Sequence, residues 1–249
     1  MKKLLFIFLI LNFSSCSKYQ KLLKSDNFDL KYETAIGFYN QEKFSKSLIL
    51  FENLLSEFKG SNKSEDVYYY YTYCLYNLGD YVNAAYHFNN FSKSFFSSKK
   101  SEEMAFMSAK CHFLDASPSY YDQTNTLKAI NMLELFISIY PNSNNISEAN
   151  KLISKLNLIL EEKAYNIAHS YYKTGNYNAS IYSFNNFIES YPNSNFLEKV
   201  FYYQTKSFFE LAKNSIEEKK ELRIKEFIFA FRDFTLTYPD SEFITELKK

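Results

Sequence analysis

Residues 168–192 read AHSYYKTGNYNASIYSFNNFIESYP, and this stretch carries the pattern that decides the fold. Counted from Tyr177, apolar or small side chains stand at offsets 0, 3, 4, 7, 10, 11 and 14, the last being Tyr191. Spacings of three and four place all seven on one face, so they predict a helix of about four turns with a buried stripe. Gly175 precedes this helix where a tight turn needs positive φ, and Pro192 follows it where a helix cannot continue.

The same seven-position pattern occurs five times in the chain. It starts at Phe44, Tyr81, Thr126, Tyr177 and Ile224, and it ends at Phe58, Phe95, Tyr140, Tyr191 and Tyr238. The starts lie 37, 45, 51 and 47 residues apart, which leaves room in each interval for a second helix and two turns. Repetition at a period of roughly 20–50 residues is typical of solenoids, in which each repeat packs on its neighbours. The sequence therefore predicts an all-α chain built of paired helices.

The composition agrees with helices and excludes several other classes. The 249 residues are 46% hydrophobic and 23% charged, which is typical of a globular protein, yet they include only 4 Gly and 4 Pro. That is too few for the many tight turns of a β-sandwich, a barrel or a Rossmann domain. The 29 basic and 28 acidic residues give a net charge of +1, which argues against nucleic acid as a partner.

The N-terminal residues have the arrangement of an export signal. Two lysines precede the apolar run 4–13, which is about half the length of a membrane-spanning helix. The sequence FSSC at 13–16 resembles a bacterial lipobox, in which the cysteine is acylated and becomes the mature N-terminus. We therefore predict a lipoprotein signal peptide at 1–15, lipidation with palmitate at Cys16 and a tether over 16–28. The alternative is a secreted protein that is cut nearby, in which the cysteine has no such role.

The residue after this cysteine indicates which of the two bacterial membranes holds the protein. Lipoproteins of this type that stay on the inner membrane carry Asp there, whereas this chain has Ser17. Two or three acyl chains are enough for lasting attachment. We therefore expect the protein at the periplasmic face of the outer membrane, held by its lipid anchor.

The helical unit resembles the tetratricopeptide repeat. The fourth copy carries the signature positions of that repeat at Ala168, Tyr171, Ser180, Phe184 and Pro192. The resemblance implies a right-handed superhelical solenoid over 29–249, and the alternative is a generic helical bundle. The five expected repeats lie at about 29–61, 64–98, 101–143, 146–194 and 195–241, followed by a short C-terminal cap.

No group of residues in the sequence has the pattern of a catalytic, metal-binding or phosphate-binding site. The three histidines, His87, His112 and His169, do not stand at ligand spacing, and no glycine-rich loop could hold a phosphate. We therefore predict no catalytic residue, no metal and no cofactor. Cys74 and Cys111 are 37 residues apart, on neighbouring first helices, where helix axes lie about 8–10 Å apart. Because a disulfide needs Cα atoms within about 7 Å, we expect two buried thiols and leave their oxidation open.

The most unusual local feature is the run of four tyrosines at 68–71, followed by two more. Alignment of the repeats places five tyrosines in the inner groove of the solenoid: Tyr32, Tyr39, Tyr69, Tyr73 and Tyr76. Such a stripe offers rings for apolar side chains and hydroxyls for a peptide backbone, which suits an extended, unfolded chain. The alternative is that codon bias has placed tyrosine at half-buried helix positions.

The lipobox, the short tether and the five repeats together resemble the BamD-type lipoprotein of the outer-membrane β-barrel assembly (BAM) machinery. The most specific stretch is 121–143, which is similar to the third repeat of that family. The resemblance implies a scaffold without catalytic activity. Its C-terminal repeats would dock on the barrel-forming subunit, and its N-terminal repeats would receive unfolded outer-membrane β-barrel proteins. The alternative function is that of another periplasmic repeat lipoprotein, which coordinates cell-wall synthesis or binds glycans.

Overall fold

The computed structural model describes residues 18–248, and all regular secondary structure in that part of the chain is helical. In chain order the helices are α1 (18–23), α2 (Phe28–Asn40), α3 (Phe44–Glu57), α4 (Ser64–Asn77), α5 (Tyr81–Ser94), α6 (Ser101–Leu114), α7 (Thr124–Ile139), α8 (Ile146–Lys173), α9 (Tyr177–Ser190), α10 (Leu197–Lys213), α11 (Glu217–Thr237) and α12 (Phe243–Leu247). The predicted all-α fold of tetratricopeptide type is confirmed. The division into five repeats stays a prediction, and the signal peptide 1–15 and Cys16 lie outside the described residues.

The unequal spacing of the pattern has a local cause in each interval. A connection of nine residues, 115–123, separates α6 from α7 and lengthens the second interval. The third interval contains α8, which has 28 residues, and the fourth contains α10 with 17 residues and the start of α11 with 21. The pattern itself is conserved in each copy, so the extra residues lie outside the helix face that it describes.

The described chain forms two compact units. Unit 1 contains residues 18–116 and 127–152, and unit 2 contains residues 117–126 and 153–248. In unit 1 each helix from α2 to α5 packs on the next helix, and α2 also contacts α4. In unit 2, α9 packs on α10 and α10 packs on α11. Helices that pack on their immediate successors are typical of helical repeats.

Phenylalanines of the predicted pattern fill both cores. The fully buried ones are Phe51, Phe88 and Phe91 in unit 1 and Phe184, Phe187 and Phe234 in unit 2. Small residues let the helices of a pair come close. The Ser47 hydroxyl donates to the Ala35 carbonyl at 2.9 Å, and the Ser180 hydroxyl donates to the Ala168 carbonyl at 3.1 Å. All four of these residues are fully buried, so a larger side chain there would push the paired helices apart.

The loops that follow the pattern share one serine turn. In each loop the serine hydroxyl accepts from the backbone N–H two residues later, at 3.0–3.3 Å. The serines are Ser61, Ser98, Ser143, Ser194 and Ser241. Because a serine side chain can replace a backbone acceptor in a turn, the same loop forms with or without a proline. The turn then leads directly into the next helix.

The fifth copy of the pattern is the place where the predicted burial is wrong. Ile224 and Ile228 were expected to be buried, but their side chains are 42% and 57% exposed. Within the described residues only the five-residue helix α12 follows α11. A helix stripe is buried only where another element covers it, and α12 is too short to cover the whole of α11.

The start of the described chain is folded as well. Residues 18–23, which fall within the predicted tether, are helical, and Leu22 and Leu23 pack against the core of unit 1. None of the helices within residues 18–248 combines the length and hydropathy that crossing a bilayer requires.

Candidate functional site

The five predicted groove tyrosines lie on α2 and α4, and each is half-buried. On α4 the ring centroid of Tyr73 lies 4.7 Å from that of Tyr69 and 6.3 Å from that of Tyr76. These three rings form a continuous row because positions three and four residues apart share one face of a helix.

Tyr70, which the sequence prediction did not include, joins α2 to this row. Its ring centroid lies 5.0 Å from that of Tyr39 and 5.5 Å from that of Tyr69. Tyr32 is linked to the others through Phe51, whose ring stacks on Tyr70 at 5.6 Å and meets Tyr32 edge-on at 6.4 Å. We call this set the tyrosine stripe: Tyr32, Tyr39, Tyr69, Tyr70, Tyr73 and Tyr76. Its role in binding stays a prediction.

The hydroxyls of two stripe residues already have a partner. Glu103 accepts a hydrogen bond from Tyr73 and a second, at 3.3 Å, from Tyr69. Burial, with a smaller contribution from the Glu103 charge, raises the pKa of Tyr69 to about 12. Burial and the hydrogen bond to Glu103 hold the pKa of Tyr73 well above its usual range. Both hydroxyls therefore stay protonated at neutral pH, and both donate to Glu103.

Glu103 also fixes the position of the stripe. It lies in the first turn of α6, where the partial positive charge of a helix N-terminus favours a carboxylate. Its bonds to Tyr69 and Tyr73 connect α4 to α6, so the tyrosine rings cannot turn independently of the fold.

Unit 2 carries a second aromatic group that the sequence prediction missed. Tyr165, His169 and Tyr172 on α8 stand 96 residues after the three tyrosines of α4. The ring of Tyr203 on α10 lies 4.3 Å from His169 and 5.3 Å from Tyr172. Extending the repeat alignment to the fourth copy would have found this group. Burial, followed by the positive charge of Lys173, lowers the pKa of His169.

Comparison with protein families identifies the chain. The family model described as YfiO, outer membrane lipoprotein, matches residues 26–182 and 160–249. The chain belongs to the YfiO family of outer membrane lipoproteins. The matched residues extend over parts of both units and include the whole tyrosine stripe, whereas Cys16 precedes them. No individual curated protein matches the chain.

The YfiO-family chain has a further apolar groove in unit 2. It has a volume of about 630 Å³ and lies between α9, α10 and α11. Its apolar lining consists of Ile188, Phe201, Phe208, Phe229 and Ala230, and polar residues stand around it: Asn185, Gln204, Lys225, Glu226 and Asp233. Phe229 is 74% exposed. A large exposed ring beside an apolar groove is typical of a surface that contacts another protein.

Among the remaining reactive side chains of residues 18–248, the cysteines are buried and His87 is half-buried. Cys74 and Cys111 are buried free thiols, as the spacing predicts. Burial raises the pKa of Cys74 to about 11 and that of Cys111 to about 12, so neither forms a thiolate at neutral pH. Nδ1 of His87 and the hydroxyl of Tyr68 are 3.1 Å apart. Within residues 18–248, no group of three or more His, Cys, Asp or Glu side chains could hold a metal ion.

Proposed function

We propose that this YfiO-family protein is a scaffold of the outer-membrane β-barrel assembly (BAM) machinery, without catalytic activity, at the periplasmic face of the outer membrane. The family match over residues 26–249 carries this proposal. The physical arrangement supports it, since each unit presents its own aromatic or apolar surface. A scaffold needs two separate binding surfaces and no reactive group.

The tyrosine stripe is the proposed site for segments of unfolded outer-membrane proteins. Its ring faces can stack on the apolar and aromatic side chains of an extended segment. Each aromatic contact contributes about 0.5–1.5 kcal/mol beyond the buried area, so a few contacts hold a segment without trapping it. Because Glu103 already binds the hydroxyls of Tyr69 and Tyr73, recognition would depend on shape and hydrophobicity more than on hydrogen bonds.

The groove of unit 2 is the proposed docking surface for the barrel-forming subunit. The exposed side chain of Phe229 on α11 gives it the apolar anchor that such interfaces need. The polar rim, which includes Lys225 and Asp233, can set the orientation of the partner.

The proposed anchor is palmitate and further acyl chains on Cys16. Acyl labelling of cells should mark the wild-type protein and should be absent from the Cys16→Ser variant. Label that survives this change would contradict the anchor alone and would leave the scaffold proposal standing.

Purification from detergent extracts of the cell envelope tests the scaffold function. We expect a large β-barrel protein to be recovered with the chain. Recovery of enzymes of cell-wall synthesis, or stabilisation of the chain by glycans, would instead support the alternative function.

A peptide-binding experiment tests the tyrosine stripe. A peptide that ends in an aromatic residue should bind less well to the double variant Tyr69→Ala, Tyr73→Ala. The matched control is Tyr86→Ala, Tyr182→Ala, which removes two exposed rings outside the stripe. If the double variant keeps its helical content and its affinity for the peptide, the stripe is not the binding site.

A further inference from the structure

We infer that the end of unit 1 that contains α1 is a binding surface for anionic phospholipid headgroups. The surface consists of the exposed lysines of residues 18–24 together with Lys46 at the start of α3. The inference rests on the proposed acylation of Cys16, which would place this surface at a membrane. The charge and packing of the surface are independent of the anchor.

The covalent chain places α1 close to the anchor. Lys18 is two residues after Cys16, and consecutive Cα atoms are about 3.8 Å apart, so their Cα atoms lie within about 8 Å of each other. That distance is similar to the Debye length of about 8 Å at physiological ionic strength. Charges on α1 therefore act on the headgroups of the bilayer that holds the acyl chains.

Packing holds α1 in a fixed orientation. The Tyr19 hydroxyl donates to the Lys46 carbonyl at 3.0 Å, and the Tyr19 ring meets the Phe38 ring edge-on at 5.7 Å. Leu22 and Leu23 pack against the core of unit 1. These contacts hold one side of α1 against the protein, while the side chains of Lys18, Lys21 and Lys24 stay exposed.

Within residues 18–248, the lysines at this end have no acidic partners. Lys18, Lys21 and Lys24 are exposed and carry three positive charges without an intervening acid, and no carboxylate of residues 18–248 lies within 4 Å of their ammonium groups or of Lys46. The nearest acids that follow in the chain are Asp26, which forms no ion pair with these lysines, and Asp29, which pairs with Lys63 at 2.8 Å. Unpaired cations beside a membrane attract anionic lipid, with a contribution on the order of 1 kcal/mol each.

An apolar groove lies between these charges. It has a volume of about 320 Å³, and Leu22, Leu30 and Phe38 form part of its lining while Lys18 and Lys46 stand at its edge. Leu30 is 51% exposed. Apolar side chains flanked by ammonium groups match the boundary between headgroups and acyl chains, because the chains bury apolar area and the phosphates meet the lysines.

Vesicle binding by the unacylated chain 17–249, which keeps every described residue, tests this surface without the anchor. Sedimentation should show stronger binding to vesicles of phosphatidylglycerol with phosphatidylcholine than to vesicles of phosphatidylcholine alone, and added salt should weaken it. The triple variant Lys18→Gln, Lys21→Gln, Lys24→Gln should lose about tenfold or more in partitioning.

The matched control is Lys59→Gln, Lys99→Gln, Lys199→Gln, which removes the same charge from exposed lysines elsewhere. It should bind the anionic vesicles as the wild type does. Equal binding to both kinds of vesicle, or an equal loss in both triple variants, would overturn the inference. Since no acyl chain is present, neither result depends on whether Cys16 is acylated in cells.

Discussion

The ammonium group of Lys100 lies 4.6 Å from the centroid of the Tyr69 ring. The same ammonium pairs with Asp66 at 2.7 Å, so one lysine at the start of α6 contacts two residues of α4. An equivalent arrangement occurs 37 residues earlier, with a ring distance of 4.7 Å and an ion-pair distance of 2.8 Å. Its members are Lys63, Tyr32 and Asp29. In unit 1, successive first helices are therefore joined by the same lysine contact.

We predict that Lys100→Met lowers the free energy of unfolding by about 1 kcal/mol. The partly exposed ion pair accounts for roughly 0.2–1 kcal/mol, and the contact with the ring for about 0.5–1 kcal/mol. Urea unfolding followed by circular dichroism measures the change. Lys99→Met is the matched control, because that neighbouring lysine is exposed and should change the stability little. Equal effects of the two substitutions would show that the contact contributes nothing.

Tyr73 allows its ring and its hydroxyl to be tested separately. Tyr73→Phe should lower the free energy of unfolding by about 1 kcal/mol, because it removes the hydrogen bond to Glu103 and keeps the edge-on contact with Phe88 at 5.1 Å. If the stripe binds peptides through its ring faces, this variant should keep its affinity within about twofold, whereas Tyr73→Ala should lose it. Fluorescence anisotropy of a labelled peptide measures both affinities. If Tyr73→Phe loses as much peptide affinity as Tyr73→Ala, the hydroxyl contacts the peptide.

The local pattern was enough to predict much of the fold. Spacings of three and four located the second helix of each pair, and Gly79 and Gly175 adopt the positive φ that the turns before two of these helices require. These features depend on residues close together in the chain. The exposed Ile224 and Ile228 were missed because burial of a stripe depends on whether another helix covers it, which periodicity does not state.

The positions of the stripe tyrosines on α2 and α4 were predictable from the sequence, but their contacts were not. The repeat alignment located tyrosines on α2 and α4, yet the link through Tyr70 and the bonds to Glu103 depend on how α2, α4 and α6 pack together. His169 shows a different limit. It occupies the position equivalent to Tyr73, but a search for tyrosines alone passes over it.

The close contact of α8 with α9 should be sensitive to side-chain size. Ala168 is fully buried where the Ser180 hydroxyl meets its carbonyl, so Ala168→Leu should cost about 1–3 kcal/mol through overpacking. Ile167→Leu is the control. The side chain of Ile167 is 46% exposed, so this substitution should change the free energy of unfolding by no more than about 0.5 kcal/mol. Thermal unfolding followed by circular dichroism compares the two. A stable Ala168→Leu variant would mean that the helices do not approach closely there.

Substitution of two phenylalanines of α11 should separate stability from binding. Phe234 is fully buried, so Phe234→Ala should lower the free energy of unfolding by about 3–5 kcal/mol. Phe229 is mostly exposed beside the groove, so Phe229→Ala should leave stability within about 0.5 kcal/mol and reduce recovery of the barrel-forming subunit in pull-downs. Unchanged recovery with Phe229→Ala would place the docking surface elsewhere.

The second aromatic group should make the stability of the protein depend on pH. Burial and the charge of Lys173 lower the pKa of His169 from its ordinary value of 6.5, so the folded protein resists protonation there. The unfolded chain takes up this proton near pH 6.5, and stability is therefore lost as the pH falls below that value, until the folded histidine titrates as well. His169→Tyr introduces tyrosine, the residue that α4 has at the equivalent position, Tyr73. This variant should show a smaller drop in melting temperature between pH 7 and pH 5 than the wild type. His169→Gln should show the same smaller drop, because it also removes the titrating group. If the melting temperatures of both variants fall as much as that of the wild type between pH 7 and pH 5, the titration of His169 does not cause this loss of stability.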